Sequence, residues 1–213
     1  MPVALPKTVR TSLAILAATP AIVRRQQEAQ VMEERIARVV AIFQQEGSRW
    51  ALVGAHAIGT LAEPRATRDF DFVVEGAKLR AITRALEEEF GDLDAVDLGP
   101  AMRLRALDVD LIRSTTHSLF REALNQVRQV ADWNVPVPEV LVVLKFLAAV
   151  SPWRERAKRM QDVVDLTVLV TAVGREELDG ALLKKLAAQV YPGGEKELEA
   201  LLGRIERGEP ITI

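Results

Sequence analysis

The chain has 213 residues, 49% hydrophobic and 27% charged, which excludes a disordered polypeptide and allows one ordinary domain with a helical extension. A formal net charge of −2 gives no overall attraction to nucleic acid or to an anionic membrane, so any RNA contact needs a local basic patch. Cysteine is absent, which excludes disulfides and thiolate metal sites.

In chain order, Lys7 and Arg10 precede an apolar run from Leu13 to Val23 that superficially resembles a secretory signal. Pro20 interrupts that run and Arg24 and Arg25 follow it, so an ordinary first helix is expected after Met1 through Thr19. A longer amphipathic helix is expected from Ala21 to Gln45, with Val31, Ile36, Val39, Val40 and Phe43 as its apolar stripe and Gly47 and Ser48 ending it. No stretch reaches the roughly 18 uninterrupted apolar residues of a membrane span, because Lys145 breaks the best candidate.

Trp50-Ala51-Leu52-Val53 then reads as a short buried strand ending at Gly54, and Ala55 to Leu61 turns helical. After the loop Ala62–Thr67, a second strand is expected over Asp69–Val74. Ala77 to Phe90 reads as a helix closed by Gly91, and Gly99 to Ile112 as a hairpin or pair of strands. Thr116 to Val130 is ambiguous between an amphipathic segment and a mixed loop. Val135-Pro136-Val137-Pro138 reads as a stiff link, and four helices are expected beyond it: Pro138–Val150, Arg154–Val173, one around Glu176–Val190, and Glu195–Arg207. Three parts are therefore expected: N-terminal helices over 1–47, a core over 48–135 and a helical C-terminal part over 136–213.

The chemistry concentrates between Gly54 and Asp71. A glycine at a strand-to-helix junction permits a tight turn and leaves backbone N–H groups where phosphate binds well. On the following strand Asp69 and Asp71 share one face, and Phe70 and Phe72 the other. At about 3.3 Å rise per residue the two carboxylates leave the backbone roughly 6.6 Å apart, so they can converge on one Mg²⁺. Aspartate suits strands poorly, and a pair inside an apolar strand calls for a reason. A phosphate cradle followed by a metal-binding pair suggests a nucleoside triphosphate site. Asp108 and Asp110 repeat the alternation, and a third carboxylate on a neighbouring strand would complete the metal site or help deprotonate an attacking hydroxyl. The tryptophans Trp50, Trp133 and Trp153 are expected to be core or interface aromatics.

Hydrophobic–Gly–small followed by Asp–hydrophobic–Asp–hydrophobic resembles the signature of the nucleotidyltransferase superfamily with the polymerase-beta-type minimal fold. With Pro64-Arg65-Ala66-Thr67-Arg68 ahead of Asp69, the string is similar to the branch containing AbiEii/AbiGii-type toxins. The likeness covers roughly Trp50 to Leu169. It implies an α+β fold, a small mixed sheet with flanking helices and a helical C-terminal part. It implies transfer of a nucleoside monophosphate from NTP to an acceptor hydroxyl on tRNA or protein, with Mg²⁺ (or Mn²⁺) as cofactor. For the toxin branch it implies a toxin–antitoxin pairing, and an NTP-dependent enzyme belongs in the cytoplasm.

Residue by residue, the resemblance puts the metal on Asp69, Asp71 and Asp110, the last favoured over Asp108 by the apolar Leu111-Ile112 that follows it. Phosphates would meet the backbone of Gly54 and Ala55, and Lys145 from within the apolar helix; Arg65, Thr67 and Arg68 would hold triphosphate or order their loop. The run Arg159-Met160-Gln161-Asp162-Val163-Val164-Asp165-Leu166 is similar to a family element written Arg-x-Lys-Asp-x-x-Asp-Leu, with Asp162 steering Lys145 or touching substrate. Two departures stand out: Ala55 replaces the usual second Gly or Ser, and Gln161 replaces Lys. They support the rival reading, a catalytically inactive nucleotide-binding or interaction module of the same fold.

Overall fold

The computed structural model describes residues 30–211, and the chain divides into two units, Met1–Ile42 and Phe43–Ile213. The expected first helix and the apolar run from Leu13 to Val23 lie outside the described residues. In the first unit, residues 30–42 belong to helix α1 (30–45). Ile36, Val39 and Val40 are buried as the stripe requires, but Val31 is exposed. The stripe therefore begins a turn later than the apolar pattern alone suggests.

The second unit is built on a five-stranded mixed sheet in the order β1-β2-β5-β4-β3. Its strands are β1 (Trp50–Val53), β2 (Phe70–Val74), β3 (Ala95–Asp97), β4 (Ala101–Leu104) and β5 (Val109–Arg113). β1 and β2 are antiparallel, β2 and β5 parallel, and β5–β4–β3 antiparallel. The fold is α+β, as expected. The parallel β2–β5 pair needs a crossover, supplied by α3 (Leu79–Phe90) followed by β3 and β4. α3 buries Leu79, Ile82 and Leu86 on one stripe and ends at Gly91, whose φ of 82 suits glycine.

Two sequence expectations shift by a residue or two. β2 begins at Phe70, so Asp69 stands just ahead of the strand, and the helix after β1 is the six-residue α2 (Gly54–Gly59). The ambiguous stretch resolves into helix α4 (Ser118–Asn125) and strand β6 (Val127–Val130), which pairs antiparallel with β7 (Trp133–Pro136) as a separate hairpin. Val135-Pro136-Val137-Pro138 is thus not a link. Pro136 closes β7, Val137 caps α5 (Pro138–Val150), and Pro138 sits in the first helical turn, where its missing N–H costs nothing.

Phe70 and Phe72 project from β2 into an aromatic cluster. Phe72 meets Phe43 edge-on at 5.3 Å and Trp50 at 6.0 Å, and Trp133 of the hairpin stacks on both phenylalanines. The C-terminal helices are α5, α6 (Arg156–Val173), α7 (Gly180–Ala187) and α8 (Gly194–Glu206). α5 is apolar around most of its circumference, burying Val140 to Val143, Phe146 and Ala149. Such a helix belongs in an interior. Buried Glu139 is satisfied by the backbone N–H of Asp179 at 2.8 Å. Among the described residues no helix is long and apolar enough to cross a membrane.

Candidate active site

Gly54 begins the site. Its φ is 70, and a Cβ built there would overlap the Asp71 carboxylate. Both the backbone conformation and the close approach therefore require glycine. The β1–β2 register explains the proximity, since Val53 lies opposite Asp71.

Parallel pairing puts Asp71 beside Asp110, and antiparallel pairing puts Arg103 beside Asp110 on the other side. The three side chains thus share one sheet face, opposite the aromatic cluster. Arg103 grips Asp110 in a two-pronged pair, Nε donating to Oδ1 at 2.8 Å and Nη2 to Oδ2 at 2.6 Å. That pairing also raises the guanidinium's pKa, the hydrogen bond to Asp110 being the main cause.

Asp71 accepts no hydrogen bond from the described residues. Protein atoms ring it, although it keeps some contact with solvent at the floor of a cleft. Burial, followed by repulsion from Asp110, pushes its carboxyl up to about 7, while Lys145 and Arg154 pull the other way. Asp69 is exposed. Asp108 lies outside β5 in a left-handed turn (φ 55), and its carbonyl accepts the Phe70 N–H at 2.8 Å.

The expectation that three acids would form one cage needs correcting in its geometry. Asp71 and Asp110 adjoin, Asp69 stands ahead of the strand, and among the described residues no three His, Cys, Asp or Glu side chains gather to hold an ion. The physical reason is charge. Clustered carboxylates repel one another, and Asp110 is paired with Arg103. The donor chemistry of Asp69 and Asp71 fits a hard divalent ion, because both offer carboxylate oxygens that no described residue engages.

α5 and α6 contribute a buried ionic network. Lys145 Nζ donates to Asp162 Oδ1 at 2.9 Å and to Asp165 Oδ2 at 2.7 Å, and all three side chains are at most 11% exposed. Arg154 Nε donates to Asp162 at 2.6 Å. Arg65 reaches from the loop before β2 to Asp165, at 2.8 and 3.2 Å. Gln161, which departs from the family's lysine, donates to Asp165 at 3.0 Å. Burial alone would raise Asp165, but the hydrogen bonds from Arg65, Lys145 and Gln161 outweigh it and hold the carboxyl below its usual value.

Asp162 and Asp165 thus both pair with Lys145, and Asp165 also pairs with Arg65 from the loop before β2.

A cleft of about 740 Å³ brings these parts together. Gly54, Asp71, Asp110, Lys145 and Asp162 line it, with Arg103, Arg154 and Lys158. Of the expected site residues, Ala55, Arg68 and Asp69 are not among its lining residues. His56 turns away to stack on Phe70, ring centres 3.8 Å apart. Burial, then Arg65, lowers its pKa against the opposing pull of Asp69. Arg103 and Arg154 were not anticipated from the sequence. Alternation along β4 could have put Arg103 on a face, but only the register puts it on Asp110.

No family model matches the chain, and no curated protein matches it. Among solved structures, the chain is similar to the antibiotic-resistance factor ANT(2'')-Ia in solution, at 14% identity and a TM-score of 0.49, over 83% of this chain and 97% of that one. It is also similar to ANT(2'')-Ia in complex with adenylyl-2''-tobramycin, at 15% identity and a TM-score of 0.47, over 81% and 95%. An antigenic nucleotidyltransferase-like protein from Paracoccidioides brasiliensis is similar at 18% identity and a TM-score of 0.45, over 79% of this chain and 91% of that one.

Proposed function

We propose that the chain is a nucleotidyltransferase, moving a nucleoside monophosphate from an NTP to an acceptor hydroxyl on tRNA or protein, and serving as the toxin of a toxin–antitoxin pair. The observation that carries this reading is the convergence of Gly54, Asp71, Asp110, Lys145 and Asp162 on one cleft, from five separate elements. A buried carboxylate with no hydrogen-bond donor, next to a glycine that admits nothing larger, is costly to keep for folding alone.

Asp69 and Asp71 would hold Mg²⁺, which when bound would offset triphosphate charge and polarise the α-phosphate. The chain's own groups do the rest. The glycine turn and Lys145 orient phosphate, with Asp162 and Asp165 fixing where the ammonium points. The acceptor oxygen bonds to the α-phosphorus as the bond to the leaving pyrophosphate breaks. The hydroxyl proton passes to Asp110, whose carboxylate keeps lone pairs beyond the two that Arg103 uses.

A second reading, an inactive nucleotide-binding module, is favoured by one observation. Asp110 and Lys145 are both already neutralised by partners within the chain. The discriminating experiment supplies each of the four labelled NTPs with Mg²⁺ to the purified chain, with total tRNA and cell protein as acceptors. Label transferred by wild type and lost in Asp71→Asn supports the enzyme. NTP binding without transfer supports the module.

A further inference from the structure

The α5–α6 turn carries a feature that neither nucleotide binding nor folding uses. Trp153 is 96% exposed, although the largest apolar side chain normally hides most of its surface. Of the two places the sequence left open to it, core and interface, the core is excluded. Nor is its exposure the slack of a loose loop. Ser151 O accepts the Arg154 N–H at 3.2 Å to close the turn, Pro152 stiffens it, and Arg154 is moored to Asp162 at 2.6 Å. The backbone of the turn thus presents the indole on the rim of the cleft that has Asp71 among its lining residues.

Its surroundings are cationic. Residues 153–159 carry Arg154, Arg156, Lys158 and Arg159 against the single acid Glu155, in a chain whose net charge is −2. Arg156 and Lys158 are exposed, with no ion-pair or hydrogen-bond partner for their side chains among the described residues, and Lys158 lines the cleft beside Trp153. The first turn of α6 holds no acidic residue. Cations at that end oppose the helix dipole, so helix stability does not account for them. Here is the local basic patch that the overall charge left as a requirement.

We propose that this rim is a docking surface for single-stranded RNA, with one base stacked on Trp153 and adjacent phosphates held by Arg156 and Lys158. Charge complementarity selects a polyanion. An almost fully exposed indole selects an unpaired base, since a duplex keeps its π-faces stacked inside. The role of such a strand as acceptor rests on the nucleotidyltransferase reading, whereas its binding does not.

The test is anisotropy of a fluorescently labelled short single-stranded RNA titrated with the full chain, beside separate titration of ATP with Mg²⁺. Stacking worth about 1–3 kcal/mol predicts that Trp153→Ala weakens RNA binding roughly 5- to 150-fold, while Trp153→Phe stays close to wild type. Arg156→Glu/Lys158→Glu weakens it further and flattens the dependence on salt, because phosphate contacts are lost. All three variants change exposed side chains and leave the melting temperature in place. ATP binding is expected to be unchanged in the Trp153 variants and in Arg156→Glu alone, whose side chain is not among those lining the cleft.

Wild-type chain that does not bind the RNA overturns the proposal, as does equal binding by Trp153→Ala. Loss of ATP binding without loss of RNA binding in Trp153→Ala also overturns it, by assigning the indole to the NTP base. Transfer of label to protein with no RNA bound overturns it while leaving the transferase reading intact. RNA bound through Trp153 by a chain that binds no NTP supports the surface and removes the transferase reading.

Discussion

Replacing Asp71 with Asn tests the site through stability as well as activity. The Asp71 carboxyl is pushed from its ordinary 3.8 up to about 7 by burial and by the neighbouring Asp110. The folded chain therefore binds this proton more tightly than the unfolded chain. Between those two values stability falls as pH rises, by at most about 1.4 kcal/mol per pH unit. Above the folded value the ionised carboxylate sits in a poorly solvated floor with only distant cations to offset it. Because the group keeps some solvent contact, a net penalty of about 1–3 kcal/mol at neutral to alkaline pH is a suitable expectation.

Asn keeps the shape and cannot ionise. In the metal-free chain Asp71→Asn should raise the melting temperature above neutrality by roughly 2–10 °C, and should leave it little changed at mildly acidic pH. Mg²⁺ should reverse the order, raising the melting temperature of wild type alone and with more effect as pH rises, since the cation competes with the proton. The assay is thermal melting across pH, with chelator and with Mg²⁺. A drop in the variant's melting temperature at every pH, or a variant-minus-wild-type difference that does not grow from acid to neutral pH, would refute the argument.

Other perturbations follow from the same geometry. Lys145→Met leaves Asp162 and Asp165 buried without their shared ammonium and should cost about 3–5 kcal/mol in denaturant unfolding; adding Asp165→Asn should recover part of the loss in a double-mutant cycle. Gly54→Ala meets both the positive φ and the Asp71 carboxylate and should destabilise by about 2–4 kcal/mol, whereas Gly47→Ala, with open space around it, should cost only about 1 kcal/mol for its φ. Arg103→Gln loosens a pair that is partly exposed on the arginine side, so unfolding should shift by no more than about 1–2 kcal/mol. It also frees Asp110, and calorimetry should then show tighter Mg²⁺ binding.

Much of the site was legible before any coordinates. The alternation Asp69-Phe70-Asp71-Phe72 assigned carboxylates and aromatics to opposite faces, because successive side chains of a strand must point opposite ways. Gly54 announced a tight turn, and the lone Lys145 in an apolar helix had either to reach the helix edge or to meet an anion, which the sequence reading takes to be phosphate. Local physics sets each of these, so a single stretch of sequence reveals it.

What local pattern could not decide is which distant groups meet. That Asp110 faces Arg103 depends on the β4–β5 register, and that Arg65 and Gln161 share Asp165 depends on how the loop before β2 meets α6. The β6–β7 hairpin was missed because its four-residue strands carry weak alternation and owe their place to Trp133 packing on Phe70 and Phe72. For Trp153 the sequence left core and interface both open, and only the fold decides between them: the α5–α6 turn, closed by backbone hydrogen bonding, leaves the indole in solvent. Periodicity and residue chemistry are properties of short segments and are written in the sequence. Register, ion-pair choice and the exposure of a single side chain are set by competition among contacts far apart in the chain, which only the folded structure resolves.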